Sequence, residues 1–318
     1  MNLNLLVALD ALLTEETVTR AAERVHLSPS AMSGALAQLR HHFRDELMVH
    51  VGRRMMLTPL AESLKGPVRE VLQLSKSIMN ASAQFDASTS QRTFSIVSSD
   101  VISLVLMSKV VAKLSQIAPQ VKLDLFDPDP QRLTDDLERG AIDLLIVPQE
   151  YASEEFPEAK LYEDTYSCLV WSENSQVGDE LTVENFEELQ HVVLNFGRAR
   201  TDGIIGSVVR SCGIELNVGA RVPAFGLLSN MIMGTNRIAT VPTRLAQMEC
   251  LYKPLRMFKP PIEFPKVVEV MQWHAYQNTD PGLVWLRQFL EQVAGSMEQE
   301  GKGTPARTLS RVGSRPAA

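Results

Sequence analysis

Along the first sixty residues, apolar positions recur with the spacing of amphipathic helices and are broken by short polar turns. Leu5, Leu6, Leu9, Leu12 and Leu13 predict a first helix over 2–14. Thr17 or Thr19 offers a hydroxyl that caps a second helix by accepting from an orphan backbone N–H. Ala21, Ala22 and Val25 give that helix a thin face suited to close packing. His26-Leu27-Ser28 makes a turn, and Ser28 caps a third helix with Pro29 at its first position. This helix runs to about Arg44, and Met32, Leu36, Leu39 and Phe43 set one buried stripe along it. Its other side carries Ser30, Ser33, Gly34, Ala37, Gln38, His41 and Arg44. Few long side chains stand there, so a flat surface could approach closely. Two readings stay open at this point: a recognition helix entering a DNA groove, or a surface helix pair in any helical bundle.

Beyond it, short apolar runs at 47–51 and 55–57 flank Gly52-Arg53-Arg54 and predict a two-stranded hairpin tipped by arginines. Thr58-Pro59 starts another helix, with Thr58 as its cap. Leu64, Val68, Val71, Ser75 and Ile78 form a heptad-like seam over barely two repeats. Gly66-Pro67 predicts a kink there, or a fresh helix from Pro67. The small and polar stretch NASAQFDASTSQ, 80–91, reads as a linker.

From Arg92 the period changes. TFSIVSS, ISLVLMSKVVAKLSQIAP, VKLDLFD, DPQRLTDDLERGA and IDLLIVP alternate as βαβαβ, which argues for a parallel sheet. Further strands are expected at 166–171, 192–196, 220–222 and 237–242, then a late strand over 267–275 and a closing helix PGLVWLRQFLEQVAGSM. The tail 301–318 has Lys302, Arg307, Arg311 and Arg315 without an acid, and is expected to be disordered.

Composition narrows the chemistry. With 318 residues and 45% hydrophobic content the chain has material for two or more domains. No window resembles a membrane span and no signal peptide is evident, so a cytoplasmic protein is expected. Cys168, Cys212 and Cys250 lie far apart without zinc spacing, and the histidines form no metal constellation. No cofactor is expected. Neither a nucleophile elbow, a P-loop nor a G-x-G-x-x-G fingerprint occurs, so an enzyme is not expected. The balance of 31 basic against 38 acidic residues, net −7, does not favour nucleic acid. Locally the picture differs: Ser28 to Arg44 holds two arginines and no acid, and Arg53-Arg54 forms a second basic spot. DNA binding would have to be local and doubled by dimerisation.

These residues resemble the LysR-type transcriptional regulators from Leu3 to about Ala294. The likeness is carried by TVTRAAER at 17–24, LSPSAMS at 27–33, DEL at 45–47, RRMMLTPLAE at 53–62 and IATVPTRLA at 238–246. MQWHAYQNTDPGLVWLR at 271–287 is similar to the subgroup of nodulation and aromatic-degradation regulators. The chain departs from the family pattern at Pro29-Ser30, at Gly34 where an arginine is frequent, and at Met48 and His50 before the hairpin.

The resemblance implies an α/β protein in four parts. A winged helix-turn-helix occupies 1–60, and a linker and dimerisation helix with hinge 61–91. An effector domain like the two-subdomain periplasmic binding proteins covers 92–300, and the tail 301–318. Subdomain I would take 92–165 and 268–295, and subdomain II 166–267. The implied partners are double-stranded promoter DNA, a small effector of aromatic type, RNA polymerase and further copies of the chain as a dimer or tetramer. The protein would be a regulator, an activator by preference. The alternatives are an effector-independent regulator or repressor of the same family, or a solute-binding module without DNA function. The implied DNA contacts are Thr19, Ser28, Pro29, Ser30, Ser33, Gly34, Arg53, Arg54 and Thr58. The implied effector contacts are Ser98, Ser99, Asp100, Val101, Pro148, Phe196, Arg198, Phe225 and His274. Asp100 has a simpler role available, as the cap of the helix starting near Val101.

Overall fold

The computed structural model describes the backbone of residues 2–51, 54–80, 85–129, 133–195 and 203–303, and the side chains there except at 54, 73, 76–77, 79–80 and 300–303. In chain order the elements begin with helices α1 (Leu3–Glu15), α2 (Val18–Arg24) and α3 (Pro29–Phe43), then the hairpin β1 (Met48–Val51) and β2 (Arg54–Leu57), then the long helix α4 (Pro59–Asn80). Next come β3 (Thr93–Ser98), α5 (Asp100–Ile102), a π-helical turn Ser103–Met107, α6 (Ser108–Ile117), β4 (Lys122–Phe126), α7 (Asp135–Glu138), β5 (Leu144–Pro148) and a 3-10 turn Gln149–Tyr151. They are followed by β6 (Glu158–Asp164), β7 (Tyr166–Trp171), α8 (Val183–Glu188), β8 (His191–Leu194), α9 (Ile204–Ser211) and β9 (Val218–Val222). The chain closes with α10 (Phe225–Ile232), β10 (Ile238–Pro242), α11 (Thr243–Tyr252), β11 (Leu255–Phe258), β12 (Val267–Gln272), a 3-10 turn Ala275–Gln277 and α12 (Pro281–Gly303).

Two compact units result. The first holds residues 1–84, 134–143 and 274–283. Its core is the predicted one: Leu9, Leu12 and Leu13 from α1, Ala21 and Ala22 from α2, and Met32, Leu36 and Leu39 from α3, with Phe43 packed at the edge. Each buried leucine contributes about 1.5–3 kcal/mol by leaving water. Thr17, not Thr19, caps α2, accepting from Arg20 N–H at 3.4 Å. The hairpin forms in antiparallel register, Met48 opposite Leu57 and Val51 opposite Arg54. Helix α4 runs through Pro67 without restarting, so of the two expectations there, a kink or a fresh helix, the fresh helix is not made. Proline removes one ladder bond, a loss of roughly 3 kcal/mol. Buried Ala61 and Val68 pin the helix to the core on both sides of Pro67. Arg69 on α4 reaches Asp10 at 3.8 Å and Glu138 of α7 at 3.2 Å, while Arg24 reaches Asp10 at 3.4 Å and Glu15 at 3.3 Å.

The second unit holds residues 85–133, 144–273 and 284–318. It is built on two five-stranded sheets, β4-β3-β5-β12-β6 and β11-β7-β10-β8-β9. β3 pairs parallel with both β4 and β5, as the βαβαβ pattern predicts. β12 then enters antiparallel between β5 and β6. The chain leaves the first sheet after Asp164 and re-enters it at Val267, so two crossover segments join the sheets. Two strands were not foreseen. β6, EAKLYED, is too polar to read as a strand, and β11, LRMF, is only four residues long. Conversely, the helix expected within DPQRLTDDLERGA reduces to α7 among the described residues.

Candidate nucleic-acid interface and effector site

In the first unit, local chemistry fixes the exposed side of α3. Ser28 Oγ accepts from Ala31 N–H at 3.1 Å and lies 3.0 Å from Ser30 Oγ, so Ser28 is the helix cap. Ser33 Oγ donates to the carbonyl of Pro29 at 2.9 Å, one turn back. Pro29, Ser30, Ser33, Gly34, Ala37, Gln38 and His41 are all exposed, as is Thr19 on α2. Nothing lies within 4 Å of the Cβ that Gly34 lacks, so the helix presents bare backbone there. Exposed Ala31 extends this face. Arg40 is occupied elsewhere: it pairs with Glu46 at 3.2 Å and donates to the carbonyls of Glu46 and Met48. Thr58 is likewise committed, accepting from Ala61 N–H at 3.1 Å as the α4 cap and donating to Asp45 Oδ1 at 2.6 Å. Arg53 and the Arg54 side chain lie outside the described residues.

In the second unit, the end of β3 runs into the start of α5. Ser98 is buried and lies 3.3 Å from Ser103 Oγ. Ser99 caps α5, accepting from Ile102 N–H at 3.4 Å. Val101 is buried. Ser99 thus takes the cap that the sequence offered to Asp100, although the Asp100 carboxylate still accepts the N–H of Val101. Its Oδ2 accepts the N–H of Gly226 at 2.8 Å, at the start of α10. Phe225, the first residue of α10, is therefore brought beside Asp100. Pro148 ends β5, the strand next to β3. Phe196 and Arg198 lie outside the described residues. His274 belongs to the first unit, where its Nδ1 accepts from Tyr276 N–H at 3.2 Å and its ring stacks on Tyr276. Burial lowers the pKa of this imidazole, and Glu70 opposes the shift.

The structure also gathers acids that the sequence reading did not single out. Glu269 sits on β12 opposite both Pro148 and Tyr162, next to a register shift in the β12–β6 pairing. It is 5% exposed, and its Oε2 has no hydrogen-bond partner among the described residues. Burial, and then the charges of Asp164 and Glu150, push its carboxyl up to about 8. Asp164, at the crossover, is raised to about 6 by burial, although the N–H groups of Thr165 and Arg244 donate to it. Tyr162 and Tyr166 complete the cluster, and burial raises both phenols. The signal available in the sequence was a lone acid inside the apolar run VVEVM. Among the described residues no group of histidine, cysteine and acidic side chains could hold a metal ion, and no helix is long and apolar enough to cross a membrane.

Comparison with known proteins fits this geometry. Residues 3–62 match the family described as bacterial regulatory helix-turn-helix protein, lysR family, and residues 87–295 match the LysR substrate binding domain. Nodulation protein D of Bradyrhizobium sp. (strain ANU 289) is 39% identical over 319 residues, spanning 99% of this chain and 93% of that protein. Among solved structures, PA0477 of Pseudomonas aeruginosa, called a probable transcriptional regulator, superposes with a TM-score of 0.63 at 25% identity, covering 92% of this chain and 97% of that one. Full-length CbnR complexed with its target DNA shares the fold at 15% identity and a TM-score of 0.50, covering 92% and 100%.

Proposed function

Because this chain belongs to the LysR family of transcriptional regulators, we propose that it activates transcription from promoter DNA in response to a small aromatic effector bound by its C-terminal domain. The family is one of regulators, not of enzymes. The observation that carries the reading is the outer face of α3. Its serines are held by the helix itself, its glycine is bare, and its buried stripe locks it to α1 and α2.

The DNA contacts would come from Thr19, Ser28, Pro29, Ser30, Ser33 and Gly34 in the major groove, where hydroxyls bond bases or phosphates equally well. Arg53 and Arg54 would serve the flanking backbone. Thr58 acts through α4, whose cap it makes. Exposed Val71, Leu74 and Ile78 on α4 supply an apolar stripe for pairing with a second copy, so a dimer or tetramer would bind the site. Residues 1–60 form the reading head, 61–91 the pairing helix and linker, and 92–300 the effector domain. For the effector we assign surroundings that include Ser99, Asp100, Val101, Pro148, Phe196, Arg198 and Phe225. Its binding shifts an equilibrium between two arrangements by its differential affinity for them. Contact with RNA polymerase in the cytoplasm would follow.

The test is a footprint of purified protein on the DNA upstream of its own gene, with and without phenols, benzoates and chlorinated aromatics, at stated salt. Protection altered by one compound is the expected result. Protection indifferent to all of them would remove the aromatic effector but keep DNA binding. No protection under any condition would overturn the assignment of α3.

A further inference from the structure

Helix α10 starts without a cap of its own. The residue before it is Ala224, which has no side-chain acceptor, so the first N–H groups of Phe225 and Gly226 lack a local partner. Asp100 supplies one from 126 positions away. Its own helix does not need it, because Ser99 already caps α5. The Asp100 carboxylate accepts from Gly226 N–H at 2.8 Å, and the Phe225 and Val101 N–H groups also donate to it. A carboxylate at a helix N-terminus gains from both the free N–H groups and the helix dipole. The fit is close: a Cβ on Gly226 would stand 3.1 Å from Leu104 Cδ1 and 3.7 Å from Asp100 Oδ2. Asp100 and Leu104 follow β3 of one sheet, and α10 precedes β10 of the other. The contact therefore joins the two halves of the second unit away from the crossover segments.

We propose that Asp100 is a built-in anion that latches the two halves together by occupying the N-terminus of α10, and that it thereby bars an anionic effector from that seat. The proposal deepens the reading of this domain as an effector site, but the latch itself is testable without an effector. Half-burial holds the Asp100 carboxyl above the usual carboxylate range, with the donating amides acting in the opposite sense and Asp127 adding to the rise. The charge is therefore kept at a desolvation cost, which the amides of α10 offset. An effector carrying a carboxylate would have to displace Asp100 and leave two acids facing each other. An effector without a carboxylate meets no such penalty.

The experiment uses the full chain with the substitution Asp100→Ala, followed by thermal unfolding with added formate or benzoate against equal sodium chloride. The expected result is a lower melting midpoint for the variant, recovered dose-dependently by both carboxylates, with the wild type unmoved by either. A folded variant that neither anion recovers would overturn the latch. A wild type that benzoate raises as much as the variant would overturn the exclusion. Asp100→Asn keeps the shape and one acceptor, so it guards against a variant that does not fold. It should melt below the wild type and ignore formate, because the seat stays filled. An asparagine variant as stable as the wild type from pH 5 to 8 would also overturn a charged latch. Failure of the DNA footprint would leave all these readouts intact, so the two readings fail separately.

Discussion

The outer face of α3 and the acid cluster at Glu269 handle polar groups in opposite ways. On α3 every hydroxyl is exposed and bonded within its own turn: Ser28 to Ala31, Ser33 to Pro29. Such bonds cost little desolvation, so the face is available to a partner without any change of protonation. Around Glu269 the polar groups come from distant strands, are buried, and face other acids. A buried carboxyl without a partner is destabilising when charged, and it holds its proton instead. One region presents a shape. The other stores an electrostatic cost where the chain crosses between its sheets.

The largest effect that would sharpen this contrast lies beneath α3. Leu36→Ala should lower stability by about 2–5 kcal/mol, because a buried leucine is removed and the cavity only partly closes. Chemical denaturation reads it, and a loss below about 1 kcal/mol would mean the stripe is not the anchor of the helix. Glu269→Gln comes next and should stabilise. The folded carboxyl titrates near 8, against 4.5 for its ordinary value. The stability that its proton supplies is complete below about 4.5 and is lost progressively as pH rises through 8. The advantage of glutamine should therefore be absent near pH 4.5 and grow to a few kcal/mol by pH 8, on the scale of about 1.4 kcal/mol per pKa unit. Melting curves at stepped pH decide it, and parallel profiles for the two proteins would break the comparison.

Smaller effects test the surface side. Thr58→Ala removes the cap of α4 and its bond to Asp45, and should cost roughly 1–2 kcal/mol. Ser28→Ala should cost about 1 kcal/mol through the α3 cap alone. Gly34→Ala works the other way. With open space around it, the substitution should raise stability by about 0.5–1 kcal/mol. If the face lies against DNA, the same change should also weaken the footprint. Higher stability with unchanged DNA affinity would place the groove contact elsewhere.

Much of this was legible in the sequence, for reasons that differ by element. The helices of the first unit follow from a 3.6-residue apolar period and from Ser28, Pro29 and Thr58 at their starts, signals that lie within a few residues of what they determine. β5 was legible because a strand buried on both faces is almost wholly apolar. β6 was not, because a polar strand is stabilised by its neighbour β12 and not by its own pattern.

What the sequence by itself determined is therefore the local punctuation: the caps, the buried stripe of α3, the bare position at Gly34 and the alternation that builds the first sheet. Tertiary structure alone decided that α4 would pass through Pro67, since the core contacts of Ala61 and Val68 outweigh one missing hydrogen bond. It alone brought the N-terminus of α10 to the Asp100 carboxylate. It alone placed Glu269 beside Asp164. The last two outcomes depend on groups more than a hundred positions apart meeting in a medium with little water, where a charge or an orphan N–H takes whichever partner the fold brings near.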